Sequence, residues 1–575
     1  MIDRRARARV AGQLGLALGV ALAYWSPAFF DPHATGFGDW QMVHHAWEAG
    51  RVAIQRYGEW PTWNPFHCGG HSMLGNPESQ HFTPFFLLSL AIGTTLALKV
   101  FLVVHAGLGL FGAYRYAKTV QGLSPRASAL AAFAWSGSGF FAWHEAGGHA
   151  TFAPFWLLPL VLLAWRRAVR EPRWAIAVAA WMALVVAEGG TYPFPYLVLA
   201  LALEALRTST RDPRGSLRAA LLSGAIFLPL AAVRLVPILE TLARLPRQVA
   251  DTDGLTVAEI VDFLTAREHD WRVGGHPYVW PEYGTFLGRI VLVLAMIGLG
   301  ESVMPGRRAA RGAALSAIVF LALVTGDAWG ALAPWSWIHE LPVYDSLRVP
   351  SRFMVLFTFP LAMLAGHGLD RAVPRTRRSR VLALVGALIL VLAITDIAVV
   401  TRPIVTRWDG APVDGPAVDR TDVAPALHLV RPHDFHAEIA RVPGRNVGTL
   451  GCYDGAMRWP VSRALWTGDG PPARTDAGRV IDARRTATSF TFEVELERPG
   501  VVELATNFDP GWRASTGLPV ESRGLLAVNL PAGRRLVVAR FDPPSFRPAL
   551  AVSAVGWSLA LIAFVWLSRR RRSQP

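Results

Sequence analysis

Apolar residues along this chain gather in runs of about twenty, the length a helix needs to cross the hydrocarbon core of a bilayer. Taken in order, the runs predict spans at 10–30, 98–117, 127–143, 152–168, 173–188, 192–206, 216–238, 285–301, 312–327, 350–369, 379–400 and 549–567, about twelve in all. A further apolar stretch, 82–96, is read as interfacial or re-entrant, because counting it as a span would reverse every later loop. The first run follows Arg4, Arg5, Arg7 and Arg9 and ends in Trp-Ser-Pro-Ala-Phe-Phe. It is long for the apolar core of a signal peptide, so it is read as an uncleaved first helix.

The polar positions sort the connections into two kinds. Alternate links are rich in arginine: Arg115, Lys118 and Arg126; Arg166, Arg167, Arg170 and Arg173; Arg207, Arg211, Arg214 and Arg218; Arg307, Arg308 and Arg311; Arg371, Arg375, Arg377, Arg378 and Arg380; and a tail ending in Arg569 to Arg572. The intervening short loops 144–151 and 189–192 carry no Lys or Arg. This positive-inside pattern predicts a multi-pass membrane protein with both termini cytoplasmic.

Three predicted outer segments are long: 31–97, 239–284 and 401–548. The second half of the last alternates apolar and polar residues, as in Ser489-Phe-Thr-Phe-Glu-Val-Glu-Leu and Leu525-Leu-Ala-Val-Asn-Leu, with Pro-Gly turns between runs. A small antiparallel β-sandwich is expected there, while 401–480 has no assignable period. The predicted architecture is therefore a polytopic α-helical bundle over 1–400, an extracytoplasmic mostly-β domain over 401–548, and a last span with a basic tail over 549–575.

Composition changes this picture little. The 575 residues are 52% hydrophobic and 17% charged, with mean hydropathy +0.31. A net charge of +15 would by itself point to nucleic acid, but the basic residues sit between spans, so the predicted partner is the lipid bilayer and not nucleic acid. Two cysteines, Cys68 and Cys452, are too few for a disulfide framework or a structural zinc site. The expectation is two unpaired thiols, with a Cys68–Cys452 bridge on the outer side as the alternative.

Candidate chemistry concentrates in the first outer segment, where Asp39, Glu48, Glu59 and Glu78 stand among histidines and four tryptophans. Asp39 follows the first span directly, and Gly38 before it gives the backbone freedom to approach a ligand. A general base and an N-cap for a helix beginning at Trp40 are equally supported by position. Glu78 and Gln80 are placed to bind hydroxyls or a metal, against a solvated loop. Trp60 and Trp63 suit sugar stacking or, with the stronger prior, an aromatic belt. His144, Glu145 and His149 share a short outer loop. Their spacing differs from the helical H-E-x-x-H zinc motif, so acid/base or substrate contact is the reading there, against a hydrated loop. Glu188, followed by Gly189-Gly190-Thr191-Tyr192, predicts a polar chamber with Glu188 and Tyr192 as substrate contacts. Arg348 and Arg352 flank Val-Pro-Ser at the outer start of a span, and their planar forks match phosphate oxygens; headgroup contact or a salt bridge to Asp345 is the alternative. No motif requires a cofactor, and no metal ligand is assigned, although the histidines leave a divalent metal open.

Gly38-Asp39, Gly58-Glu-Trp-Pro-Thr-Trp-Asn-Pro65, Gly69-Gly70, Asn76-Pro-Glu-Ser-Gln80 and Phe82-Thr-Pro84 together resemble the first outer loop of the YfhO-like bacterial membrane proteins. Leu341-Pro-Val-Tyr-Asp-Ser-Leu-Arg-Val-Pro-Ser-Arg-Phe353 is similar to a later outer loop of that family, and Asn507-Phe-Asp-Pro-Gly-Trp-Arg513 with Phe541-Asp-Pro-Pro544 to its final strands. The resemblance implies a GT-C type glycosyltransferase. Such an enzyme of the bacterial inner membrane moves a sugar, here of hexosyl type, from a polyprenyl-phosphate donor to an envelope glycan or lipid acceptor on the outer face, and Asp39 matches the position of its catalytic acidic residue, read as the base. The competing readings are a flippase for a lipid-linked saccharide, which requires essential charges deep in the spans, and a non-catalytic scaffold for envelope assembly.

Overall fold

Helices occupy all twelve apolar segments in the computed structural model, which describes residues 4–36, 38–247, 249, 253–373, 380–405, 427–428, 439–452, 454–466 and 471–570. In chain order they are α1 (Arg4–Trp25), the outer helix α2 (Trp40–Tyr57), α3 (Pro84–Ile92), α4 (Thr94–Thr119), α5 (Pro125–Ser136), α6 (Gly139–Gly147), α7 (Leu158–Ala168), α8 (Trp174–Ala187), α9 (Pro193–Ser209) and α10 (Pro213–Arg244). There follow the outer helix α11 (Val257–Thr265), then α12 (Arg289–Ser302), α13 (Arg308–Val324), the short α14 (Pro334–His339), α15 (Met354–Ala372), α16 (Arg380–Val405) and a final helix, Phe546–Arg570. Among the described residues five are long and apolar enough to cross a membrane: 94–119, 213–244, 350–372, 380–405 and 546–569. The chain is a polytopic membrane protein, but length and apolarity alone support fewer crossings than the twelve that the sequence predicts.

The shortfall has physical causes. The segment 127–143 is broken at Gly137 and Ser138 into α5 and α6, and 152–168 begins as a 3-10 turn, Ala150–Leu157, around Pro154. The stretch 82–96, read from sequence as interfacial or re-entrant and not counted among the twelve, yields α3, nine residues capped by Thr83, about 14 Å long and too short to cross. The basic residues 374–379 and the tail beyond 570 lie outside the described residues.

The C-terminal region is a sandwich of two four-stranded antiparallel sheets. With β5 (Ala473–Arg474), β6 (Gly478–Arg485), β7 (Ser489–Leu496), β8 (Gly500–Asn507), β9 (Trp512–Ala514), β10 (Leu518–Ser522), β11 (Leu525–Leu530) and β12 (Gly533–Phe541), the orders are β10-β11-β8-β5 and β6-β7-β12-β9. Four two-residue strands precede them: β1 (Trp63–Asn64) with β2 (His71–Ser72), and β3 (Leu427–His428) with β4 (Gly448–Thr449). The alternation read from the sequence is the packing pattern here, since Phe490, Phe492, Val494 and Leu496 all point inward.

The sandwich core is completed by the first outer loop. Trp63 inserts into it, its ring 5.2 Å from Trp512 and 4.7 Å from Phe541, so it neither stacks on sugar nor lies in an aromatic belt. Trp60 packs on Phe82 and Phe86. Glu59 accepts hydrogen bonds from the Thr488 backbone at 3.0 Å and the Thr486 hydroxyl at 2.9 Å. Asn507 donates to the carbonyls of Cys68 and Gly70 at 2.6 and 2.9 Å. Gly70 has φ +105, and a Cβ there would lie 2.4 Å from the Thr506 hydroxyl, which explains why glycine stands under the clamp. Cys68 and Cys452 are disulfide-bonded, correcting the expectation of free thiols. The loop thus belongs as much to the β domain as to the helices.

Candidate active site

Two outer connections interlock to present Asp39. Its backbone N–H donates to the carbonyl of Gly147 at 3.0 Å, and the indole of Trp40 donates to the carbonyl of Glu145. The approach is too close for a side chain: a Cβ on Gly148, at φ +93, would lie 2.1 Å from the Trp40 nitrogen. Asp39 occupies the N-cap position of α2, yet its carboxylate makes no capping hydrogen bond. It turns instead toward His149, with Oδ2 3.7 Å from Nε2.

Around His149 lies a set of charges. His144 Nδ1 is 2.7 Å from His149 Nδ1, and burial, opposed by Glu282, holds the His149 imidazole below its usual range and therefore neutral. Burial alone would raise Glu282, but Arg352 more than offsets it and keeps the carboxylate ionised. The contact is a fork: Arg352 Nε donates to Glu282 Oε2 at 2.8 Å and Nη2 to Oε1 at 2.5 Å. The Arg352 guanidinium also lies over Tyr192, 4.3 Å from the ring centre. The Arg348 backbone N–H donates to the Tyr192 hydroxyl at 3.1 Å, whereas its buried side-chain Nε has no hydrogen-bond partner among the described residues. Val349, next in the chain, sits at φ +64, a strained conformation for a β-branched residue.

A second group of side chains faces this one. The loop 74–80 is held from below by Arg234 of α10, which donates to the carbonyls of Leu74 and Asn76 at 3.0 and 2.8 Å. Asn76 donates to Asp454 at 2.9 Å. Burial, with the Asp454 and Asp39 charges adding to it, pushes the Glu78 carboxyl up to about 8 against the opposing pull of Arg247 and Thr191. Burial also lowers His45 and His71 to about 4, so both are neutral.

The two groups line one cavity of about 220 Å³ that includes Asp39, Glu78, Gln80, His149, Tyr192, Arg247, Glu282, Arg348, Arg352 and Asp454. Of the residues expected from sequence, Asp39, Glu78, Gln80, Tyr192, Arg348 and Arg352 therefore share a hollow. His144 stands behind His149. Like His144, two more do not reach the cavity wall. Glu188 is fully buried and 3.0 Å from His105 Nε2, so it ends α8 in a closed polar pair rather than in a wet chamber. Glu145 is fully buried, and its carboxylate has no hydrogen-bond partner among the described residues. Gln80 is committed at both ends, accepting from the Trp47 indole and donating to the Glu188 carbonyl, each at 2.7 Å. Arg352 is paired with Glu282 and not with Asp345.

Sequence reading missed Glu282, Arg247 and Asp454. Glu282 stood in an outer segment that also held the exposed Glu268, with nothing to rank one above the other, and Asp454 lay in the unassigned part of 401–480. Ligand atoms of His144, His149 and Glu282 lie within 4.8 Å of one another, and two imidazoles with a carboxylate are a donor set for a zinc-like ion. Both Glu282 oxygens, however, are already held by Arg352.

Neither the protein-family models nor the curated proteins match the chain in sequence. Solved structures do match in fold. The arabinofuranosyltransferase AftD from Mycobacteria aligns with TM-score 0.50 and 15% identity over 92% of this chain, which spans about two fifths (40%) of that protein's length. Weaker matches are ArnT from Cupriavidus metallidurans bound to undecaprenyl phosphate (TM-score 0.46, 13% identity, 76% of this chain and 89% of that one) and the oligosaccharyltransferase AglB from Archaeoglobus fulgidus in complex with an inhibitory peptide and a dolichol-phosphate (0.45, 12%, 78% and 65%). All three are GT-C fold glycosyltransferases.

Proposed function

We propose that the protein is a membrane glycosyltransferase that moves a sugar from a polyprenyl-phosphate donor to a hydroxyl of an envelope acceptor, with Asp39 as the base and Arg348 as the phosphate ligand. The observation that carries this reading is the shared cavity, in which a carboxylate free of its cap faces an arginine whose Nε is unpaired. In the reaction the anomeric carbon–oxygen bond to the phosphate breaks as the acceptor oxygen bonds to that carbon. The acceptor proton passes to Asp39, and the charge left on the lipid phosphate is taken up by Arg348. Arg352, with its fork closed on Glu282, holds the wall of the phosphate subsite rather than serving as a second free ligand. The resemblance to YfhO-like proteins and the AftD-like fold agree with this assignment, and the polar lining around Glu78, Asn64 and Asp454 suits the hydroxyls of a saccharide.

The test compares envelope glycans and polyprenyl-linked sugars in cells carrying the wild-type protein or Asp39→Asn. Loss of the glycan with build-up of the lipid-linked sugar, at equal protein level, supports the transferase. Unchanged glycosylation rejects it. A flippase would need charges exposed along its path, and the His105–Glu188 pair is closed to the cavity.

A further inference from the structure

The far end of the bundle carries a second polar cavity, of about 270 Å³, lined by Arg166, Arg207, Arg211 and Arg308 with Gln121 between them. These arginines come from the end of α7, the end of α9, the turn after it and the start of α13, so the fold gathers them from distant parts of the chain. Among the described residues no carboxylate lines the space. Glu204, fully buried behind it, pairs with Arg166 and with Arg207, the latter at 3.2 Å. Arg207 also donates to the Ser316 hydroxyl at 3.3 Å, and it lies so close to Gly312 that a Cβ there would come within 1.8 Å of Nη2. Two of the four guanidiniums are thus fixed in place.

The other two are left over. Neighbouring arginines at this end are satisfied from within: Arg307 and Arg371 by Glu301 at 2.9 and 3.1 Å, Arg311 by the carbonyls of Ser302 and Met304, and Arg218 by that of Val169. Arg211 and Arg308 make no ion pair or side-chain hydrogen bond among the described residues. One buried carboxylate against four guanidiniums leaves a concave surplus of positive charge, which is the arrangement that takes a phosphate.

The place of this cavity identifies the source of the phosphate. Along α9, Arg207 is fifteen residues from Tyr192 of the outer cavity, about 22 Å and most of the way across a hydrocarbon core. Leu206, immediately before Arg207, and Leu315 and Ile318 of α13 are exposed apolar side chains, so acyl chains would lie against the rim. We propose that Arg166, Arg207, Arg211 and Arg308 form a binding site for the phosphate headgroup of an anionic phospholipid in the leaflet opposite the outer cavity. By the distribution of basic residues this is the cytoplasmic leaflet. The site is separate from the transferase assignment and stands or falls without it.

The experiment uses the full-length protein in a nonionic detergent, titrated with dioctanoyl phosphatidylglycerol, dioctanoyl phosphatidylcholine or inorganic phosphate, with the thermal unfolding midpoint and lipid retention in native mass spectrometry as readouts. The expected result is a saturable rise in midpoint with phosphatidylglycerol alone. Its affinity should drop on the order of thirtyfold in the double variant Arg211→Gln, Arg308→Gln and return in Arg211→Lys, Arg308→Lys. Both positions are exposed and unpaired, so the variants are expected to fold, and the single variant Arg308→Gln should show a smaller drop in the same direction. Equal effects of phosphatidylcholine, binding of inorganic phosphate as tight as that of the lipid, or unchanged affinity in the double variant would each overturn the proposal.

Discussion

The two walls of the outer cavity are built on different principles. One wall, made by helix ends and turns, holds full charges in fixed geometry: Asp39 beside His149, Glu282 forked by Arg352, and Arg348 on a strained turn. The other, made by the first outer loop and the segment leading into the β domain, sets groups that burial keeps largely uncharged, His45, His71 and the carboxyl of Glu78, beside Asp454 and Arg247. A charged wall suits a phosphate and the charge that develops as a bond breaks. A neutral hydrogen-bonding wall suits a polyol, for which each hydroxyl needs a partner but no counter-charge. The contrast divides the cavity into a face rich in fixed charge and a face rich in hydrogen-bonding groups.

The contrast can be broken at named positions. Asp39→Asn is expected to lower turnover on the order of a thousandfold while leaving thermal stability unchanged, because the carboxylate caps nothing; single-turnover assays on purified protein measure it. Glu282→Gln should act chiefly on stability. It leaves Arg352 buried and unpaired, at a cost of about 3 kcal/mol read as a fall in the unfolding midpoint. Arg348→Gln should spare the fold and lower turnover by about a hundredfold, as loss of one donor to a developing anion does.

Across the cavity, Glu78→Gln is expected to show a pH signature instead. Glu78 titrates near 8 when folded against an ordinary 4.5, so between those values the folded protein holds a proton that the unfolded chain has released. Stability contributed by this group is therefore complete below about pH 4.5 and declines as pH rises toward 8. The glutamine variant, lacking that slope, should gain on the wild type in unfolding midpoint between pH 5 and pH 8. The smallest expected effect is that of EDTA. Since Arg352 already neutralises Glu282, activity should survive chelation, and a metal requirement would reassign His144, His149 and Glu282 as ligands.

The broad architecture was legible because its signals are strong and local: apolar runs for helices, alternation for the sandwich, and a carboxylate and two arginines at outer helix ends. What escaped depended on contacts distant in sequence. Trp63 reads as an interfacial tryptophan until the sandwich that it completes is in place. Glu188 reads as a costly charge needing water until His105, on another helix, is seen to meet it. Helix breaks at Gly137 and Pro154 were hidden by continuous hydrophobicity, since periodicity does not register a turn buried in protein. Cys68 and Cys452 are too few to form a pattern, and only the clamp around Asn507 shows why they meet.

That bridge joins residues 384 positions apart, Cys68 between the short strands β1 and β2 and Cys452 just after β4, beyond α16. Because the hydrogen-bonding wall of the cavity is supplied from both sides of this bond, a ribosome must release the chain past Asp454 before the pocket can close. A truncated product would carry Asp39 and both arginines yet lack Asp454 and its surroundings, leaving the cavity without part of its lining. Biogenesis of this protein is thereby coupled to oxidising conditions on the side of the membrane where the pocket lies.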